Sequence, residues 1–277
     1  MSTGLDASLF VTTYEMPQQL ALVCAGLERQ TARNFEIFFC DDGSGDETKA
    51  LITALSERIR RAAGISVHHL WQENKGFRKC RILNEALRQA MGRVCVFLDG
   101  DCIPHPKYVA DHLREQEEGR FLAGRRVELG PKISSWLTPD LIREGFLDLP
   151  GPRILWSAQT GDLEFLNRFL RIPSNRLRAL VKMDRIADLK GCNYSVSRKD
   201  LLAINGFDEE YEGYGREDTD VELRLNNLGL KIKSLKGLAL EYHVWHPRRE
   251  FTPVNDDRLE QLKTSGRIRC EKGVNLP

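Results

Sequence analysis

The chain of 277 residues has little of what marks the more specialised protein classes. No stretch approaches the roughly 20 consecutive apolar residues that cross a bilayer. The opening MSTGLDASLFVTTYE lacks a basic segment followed by an apolar one, so no secretory leader is expected. Neither sign of charge is in excess: 41 Lys and Arg face 40 Asp and Glu, a formal net charge of +1. That balance offers no overall field for nucleic acid, which is not an expected partner. None of the seven cysteines (Cys24, Cys40, Cys80, Cys95, Cys102, Cys192 and Cys270) lies in a CxxC pair, which argues against a zinc or redox motif. An odd number of thiols, most of them in apolar runs, reads as small buried hydrophobes in a reduced, cytoplasmic setting. Internal repeats and low-complexity tracts are also missing.

What is present is an alternation of short apolar runs and amphipathic stretches. Leu9–Thr12, Phe35–Cys40, Val67–Leu70 and Val94–Leu98 read as strands. Helices are expected from Gln18 to Gln30 after Pro17, from about Glu47 to Ala63, and from Cys80 to Met91. Repeated strand–helix–strand units imply an open, mostly parallel α/β sheet, whose ligands bind beyond the carboxyl ends of the strands. Residues 130 to 185, with Pro131, Pro139, Pro150, Pro152 and Pro173, read as a helical insertion over the site. Trp136 and Trp156 within it are expected to shape a pocket. Further on, a strand is expected at Tyr194–Val196, helices at Lys199–Ile204 and Glu217–Leu228 with Gly229 as C-terminal cap, and a strand at Leu238–Tyr242. The last 25 or so residues read as a loosely held polar tail.

Several clusters carry chemistry. Asp99-Gly100-Asp101 follows a buried strand and supplies paired hard oxygen ligands of the kind that Mg²⁺ and Mn²⁺ favour. Gly100 permits a sharp turn and close approach. Asp41-Asp42-Gly43-Ser44 fits a turn and helix cap, and still leaves a carboxylate to accept from a base or ribose. Gly213-Tyr214-Gly215-Arg216-Glu217-Asp218-Thr219-Asp220 reads as a mobile loop opening a helix rich in acids, where the helix dipole favours them. His243 and His246, three apart near a strand end, are candidate metal ligands, whereas His68 and His69 suit a structural role. Lys75, Arg78, Lys79 and Arg81 surround a helix start, a natural anion site. Arg168, Arg171, Arg176, Arg178, Lys182 and Arg185 form a second basic cluster, either a solvated face or a contact for an anionic membrane.

Taken in order, Thr12-Thr13-Tyr14, Asp41-Asp42-Gly43-Ser44, Asn74-Lys75-Gly76 with Arg81, Asp99-Gly100-Asp101, Gly191-Cys192-Asn193 and Glu217-Asp218 resemble glycosyltransferase family 2, with its GT-A fold. The resemblance runs from Leu9 to about His246. It implies one domain over residues 1–250, with a nucleotide-binding half (1–128) and an acceptor-binding half (129–250), followed by the tail 251–277. It implies that Thr12, Tyr14 and Asp42, with Asp41 beside it, hold the uracil and ribose of a UDP-sugar. Lys75, Arg81 and Gly100 fall in the same donor subsite. Asp101, helped by Asp99, would bind Mn²⁺ or Mg²⁺ with a late histidine, His243 being favoured over His246. Asp218 matches the family's catalytic base and Glu217 its neighbour on the acceptor or sugar. The resemblance thus implies an inverting, metal-dependent transferase of a hexose or N-acetylhexosamine to a glycan or lipid-linked glycan, cytoplasmic or peripheral at the inner membrane face.

The segment Gly213–Asp220 also looks like that of β-1,4-galactosyltransferases, with Tyr214 or Tyr211 where a Trp is common. Glu15 stands where an Asn often follows the first tyrosine. A pyrophosphorylase is disfavoured, because no glycine-rich basic loop follows the first strand, and a dehydrogenase because no GxGxxG does. The remaining alternative is a non-catalytic sugar-nucleotide or glycan-binding protein derived from a transferase.

Overall fold

In a computed structural model, residues 4–164, 166–247 and 252–275 are described. The apolar runs of the N-terminal half become β1 (Ala7–Thr13), β2 (Phe35–Asp41), β3 (Ser66–Trp71) and β4 (Val94–Asp99). Between them run α1 (Pro17–Glu28), α2 (Asp46–Ala63) and α3 (Lys79–Gln89). In α2, Asp46 and Glu47 sit at the positive end of the dipole and Arg60 and Arg61 at the negative end. Gly64, at φ 67°, closes that helix in a left-handed conformation that a side chain would strain.

Next come β5 (Cys102–Pro104), α4 (Tyr108–Glu115), β6 (Arg120–Ala123) and β7 (Val127–Leu129). The expected helical insertion is there as α5 (Pro131–Trp136), α6 (Pro139–Arg143), α7 (Pro152–Gln159), a two-residue β8 (Leu163–Glu164) and α8 (Asn175–Leu180). The chain continues through β9 (Asn193–Ser197), α9 (Arg198–Ala203), α10 (Glu217–Asn227), β10 (Lys231–Ser234), β11 (Glu241–His243) and α11 (Val254–Ser265).

Seven strands form one sheet in the order β10-β6-β9-β4-β1-β2-β3, and a smaller sheet runs β5-β11-β7-β8. In the large sheet every pairing is parallel except those of β9, which lies antiparallel to β4 and β6. Successive residues of the buried strands enter two different apolar clusters. Leu9, Val11, Ile37, Phe39, Val96 and Leu98 face one, and Phe10, Phe38, Cys40, Cys95 and Phe97 face the other. That is why these strands read as continuous hydrophobic runs.

One row across the second face is aromatic over five strands. His68 stacks on Phe38 at 4.6 Å, Phe38 on Phe10 at 5.7 Å, Phe10 on Phe97 at 5.0 Å, and Phe97 on Tyr194 at 4.2 Å. The same residues are register partners in the sheet. Each such pair contributes about 0.5–1.5 kcal/mol beyond its area burial.

Three features depart from the sequence reading. The strand expected at 238–242 is confined to Glu241–His243, and the short strands β5, β6, β7 and β10 were not anticipated. The tail is not loosely held, for α11 buries Asn255, Leu259 and Leu262, and Cys270 and Val274 are buried beyond it. Asn205 fastens that segment, donating to the Cys270 carbonyl at 2.9 Å and accepting at its own carbonyl from Val274 N–H at 3.0 Å. The expected boundary between domain and tail falls outside the described residues. All seven cysteines are free and buried, and among the described residues no helix is long and apolar enough to cross a membrane.

Within α10, Asp220 is structural. It is buried and pairs with the fully buried Arg224, whose Nη1 also donates to the carbonyls of Ile204 and Gly206 at 2.7 and 2.8 Å. Removing the carboxylate strands a guanidinium without its counter-charge, so Asp220→Ala should lose about 3–5 kcal/mol of stability in urea unfolding.

Candidate active site

A cleft of about 1030 Å³ opens where the carboxyl ends of β1, β2 and β4 meet α10 and β11. The register decides what stands at its floor. Thr12 is paired with Asp99 and Thr13 with Asp41, so the residues that follow each strand emerge along one edge. Thr12, Tyr14, Asp42, Asp99, Gly100, Asp101, Glu217, Asp218, His243 and His246 all line it. Gly100 donates its N–H to the Thr12 carbonyl at 2.7 Å, and a Cβ at this position would stand 2.8 Å from that same oxygen. Only glycine lets the turn between the two acids hug β1.

The metal-ligand geometry separates the two acids. Asp99 Oδ1 accepts from Thr12 Oγ1 at 2.7 Å and from Lys79 Nζ at 2.9 Å. Asp101 instead meets His243 and His246, with donor atoms of all three within 4.8 Å of one another. His243 Nε2 and His246 Nε2 are 3.1 Å apart, and Asp101 Oδ2 is 3.1 Å from the latter. The other nitrogen of each ring is occupied: His243 Nδ1 lies 2.9 Å from Glu128 Oε2, and His246 Nδ1 2.8 Å from the Pro247 carbonyl. Those oxygens accept only, so each Nδ1 is the donor there and each Nε2 is left turned inward toward Asp101. Two imidazole nitrogens and a carboxylate oxygen gathered this closely are a ligand set that fits a divalent cation. Glu128 is held ionised, its pKa down at about 2. Burial opposes this, but the His243 hydrogen bond and the Arg126 guanidinium outweigh it.

On the facing wall, α10 begins at Glu217 behind Arg216, whose φ of 75° is unusual for a residue with a side chain. Asp218 Oδ2 accepts from Gly191 N–H at 3.0 Å and Oδ1 from Thr219 N–H at 2.7 Å, which fixes the carboxylate at the cleft. Glu217 is nearly buried with one oxygen unpartnered, and burial raises its pKa although Lys79 nearby pulls the other way. Burial likewise opposes charge on Lys79, yet Asp99, Glu217 and Asp218 outweigh it and hold the ammonium protonated.

Just after β2, Asp42 accepts from Arg78 N–H at 2.7 Å and Gln72 Nε2 at 2.5 Å, and its pKa is raised by burial. Asn74 Nδ2 donates to the Tyr14 hydroxyl at 3.0 Å. Glu15 and Met16, at φ 53° and 57°, turn the chain sharply after Tyr14. Glu15 accepts from Gly45 N–H at 2.9 Å and donates its own N–H to Ser44 Oγ at 2.8 Å, tying the turns after β1 and β2 together. Strained backbone at Glu15, Met16 and Arg216 surrounds the cleft, as is common at functional sites.

A family model described as glycosyl transferase family 2 matches residues 8–197. The chain belongs to this family. A second model, described as the N-terminal domain of galactosyltransferase, matches residues 171–247, which hold Glu217, Asp218, His243 and His246. The family 2 chain is 25% identical over 252 residues to chondroitin synthase of Escherichia coli, covering 88% of its own length and 35% of that relative. It thus spans only about a third of that protein. In fold it is similar to the mannosyltransferase PcManGT from Pyrobaculum calidifontis, solved with GDP-Man and Mn²⁺. The TM-score is 0.59 at 17% identity, over 94% of this chain and 63% of that one. GalNAc-T7, solved with UDP, GalNAc and Mn²⁺, gives a TM-score of 0.62 at 13% identity, over 95% of this chain and 48% of that one. At these identities the likeness is one of fold, the GT-A fold.

Some expected residues of this family 2 chain do not reach the cleft. Asp41 is buried, held by Ser44 N–H at 2.8 Å and His69 Nε2 at 3.0 Å, and serves the turn. Lys75 is exposed and paired with Glu73 at 2.8 Å, and Arg81 is exposed on α3. From that basic cluster Lys79 faces the cleft instead. Trp136 and Trp156 stack on each other at 5.9 Å, and the cleft indole is Trp245. Glu128, which orients His243, was missed because its short strand gave no signal. The loop at Gly213–Gly215 is fastened by the C-terminal segment: Thr252 Oγ1 accepts from Tyr214 N–H at 2.9 Å and Asn255 Nδ2 donates to the Gly215 carbonyl at 2.8 Å.

His243→Ala, His246→Ala and Asp101→Ala should each weaken Mn²⁺ binding in titration calorimetry by at least as much as Glu128→Gln, which only loosens one ring and should cost roughly 10–100-fold. Unchanged Mn²⁺ affinity in the Asp101 variant would refute the assignment.

Proposed function

We propose that the chain is an inverting, metal-dependent glycosyltransferase that moves a hexose or N-acetylhexosamine from a UDP-sugar to a hydroxyl of a glycan or lipid-linked glycan. The observation that carries this reading is the meeting, in one cleft, of the Asp101–His243–His246 cluster with the Asp218 and Glu217 carboxylates. A module that only bound sugar nucleotide would have no use for a buried, unpartnered Glu217 oxygen opposite the ligand set. Two imidazoles beside a single carboxylate favour Mn²⁺ over the harder Mg²⁺.

In this reading Thr12, Tyr14 and Asp42 hold the nucleoside, and Lys79 lends positive charge near the diphosphate. Asp101, His243 and His246 would hold the metal, which when bound would supply positive charge to offset that of the leaving diphosphate. Asp218 accepts the proton of the acceptor hydroxyl while that oxygen attacks the anomeric carbon. The bond from that carbon to the diphosphate oxygen breaks, and the nucleoside diphosphate leaves with the bonding pair. Attack opposite the leaving group inverts the configuration. Glu217, beside it, orients the acceptor or the transferred sugar.

The test is release of free nucleoside diphosphate from a panel of nucleotide sugars with Mn²⁺ and candidate acceptors. One UDP-sugar should be consumed and chelator should stop the reaction; consumption of none, with no metal-dependent UDP binding, would defeat the proposal. Asp218→Asn should lower kcat by about 10²–10⁴ with donor binding little changed. Because burial raises the Glu217 pKa, its ionised form is lost at a higher pH than for an ordinary glutamate. The acid limb of kcat/KM should therefore lie above the usual carboxylate range and shift in Glu217→Gln.

The membrane contact also belongs to this proposal, on a smaller set of residues than the basic cluster offered. Arg171 is committed to Asp111 at 2.5 Å, and Arg178 is buried against the carbonyls of Ser234 and Lys236. Exposed on and after α8 are Arg176, Lys182 and Arg185, interleaved with Leu177, Leu180 and Val181. Anionic vesicles should sediment the protein and neutral ones should not. Leu177→Asp with Leu180→Asp should abolish the effect, and equal binding to both vesicle types would sink the idea.

A further inference from the structure

Beside the catalytic cleft lies a second group of donor atoms that the glycosyl-transfer reading does not use. Cys102 opens β5, Cys192 precedes β9, and Glu241 opens β11. One donor atom from each lies within 4.8 Å of the other two. The three residues are buried, at 0%, 5% and 0% exposure. Neither Glu241 oxygen finds a hydrogen-bond partner of ordinary geometry. Taking a carboxyl group out of water is unfavourable unless something compensates it. Buried polar atoms without partners call for an explanation, and a bound ion is one of the usual ones.

The topology brings these groups together for a reason. β5 and β11 pair antiparallel with Cys102 opposite His243, and Glu241 stands two residues before His243 on the same face. The thiol pair and carboxylate therefore continue the row of ligands inward from the cleft. Arg126, on the cleft wall beside the cluster, contributes a positive charge toward both thiols.

We propose that Cys102, Cys192 and Glu241 form a second, buried metal site for a thiophilic divalent cation, with Zn²⁺ the best match. Two thiolates and one carboxylate are a zinc donor set, and soft sulfur ligands disfavour Mn²⁺ and Mg²⁺. The two sites thus sort their ions by chemistry. On binding, the thiols and the carboxyl release their protons to solvent, and the cation takes one donor atom from each residue. Binding there is felt in the cleft, because the Cys102 thiol donates to Asp101 Oδ1 at 3.2 Å. Once Cys102 is a bound thiolate, that donor is lost to Asp101. The proposal stands on its own geometry and does not require the transferase reading.

The experiment is Co²⁺ titration of the reduced, chelator-stripped full chain in excess Mg²⁺, followed by near-ultraviolet absorption, where thiolate-to-cobalt charge transfer appears. One equivalent of Co²⁺ should produce the band and Zn²⁺ should bleach it. The band should vanish in Cys102→Ser and Cys192→Ser, and persist in the His243→Ala, His246→Ala double variant, which lacks only the cleft ligands. Glu241→Gln should weaken Co²⁺ binding by more than about tenfold. Should a cysteine variant fail to fold, the wild type alone decides. Absence of the band at saturating Co²⁺, with native circular dichroism and both thiols reactive in denaturant, overturns the site. A Cys102–Cys192 disulfide that persists in the reduced preparation, or a band that survives both cysteine variants, overturns it as well.

Discussion

The alignment of β1, β2 and β4 is the constraint on which the rest of the structure depends. These strands are parallel, fully covered and in register, so a single row of aromatic side chains runs from His68 through Phe38, Phe10 and Phe97 to Tyr194. A slip of one residue would send every member of that row to the opposite face. Because the row cannot slip, the residues two or three positions further on are also fixed. At the strand ends Thr12 is level with Asp99 and Thr13 with Asp41, and Tyr14, Asp42 and Asp101 follow them into one cleft.

The cleft shows how ordinary hydrogen bonds assign different work to chemically equal groups. Asp99 and Asp101 are two residues apart, but Lys79 and Thr12 claim the first while the two histidines meet the second. Asp41 and Asp42 are adjacent, but the first is spent on its own turn and on His69, and the second faces the cleft. Glu217 and Asp218 likewise differ: backbone N–H groups hold Asp218, and burial leaves Glu217 partly unpartnered. Burial and local donors, more than residue type, set what each carboxylate can do.

Much of this was legible in the sequence. Long apolar strands announced the sheet, and Thr12, Asp42 and Asp101 were legible just after strands, whereas Asp218, at a helix start, was singled out only by the family resemblance. The histidines were legible as a pair, while their joint approach to Asp101 was not, since it depends on β11 pairing with β5 across a span of more than a hundred residues. Glu128 and Lys79 escaped for related reasons. The first lies on a three-residue strand, and the second hid among four cations whose directions only the helix settles. Along the C-terminal segment, Leu259 and Leu262 are too sparse among polar residues to signal α11, which packs against α10.

The central claim is that the cleft is a nucleotide-diphosphate site completed by a divalent metal on Asp101, His243 and His246. Equilibrium binding of UDP to the full chain, with and without Mn²⁺, tests it most directly. The account predicts that Mn²⁺ tightens UDP binding by at least about tenfold, or 1.4 kcal/mol, and that Asp101→Ala removes the gain. Equal UDP affinity with and without Mn²⁺ would contradict it.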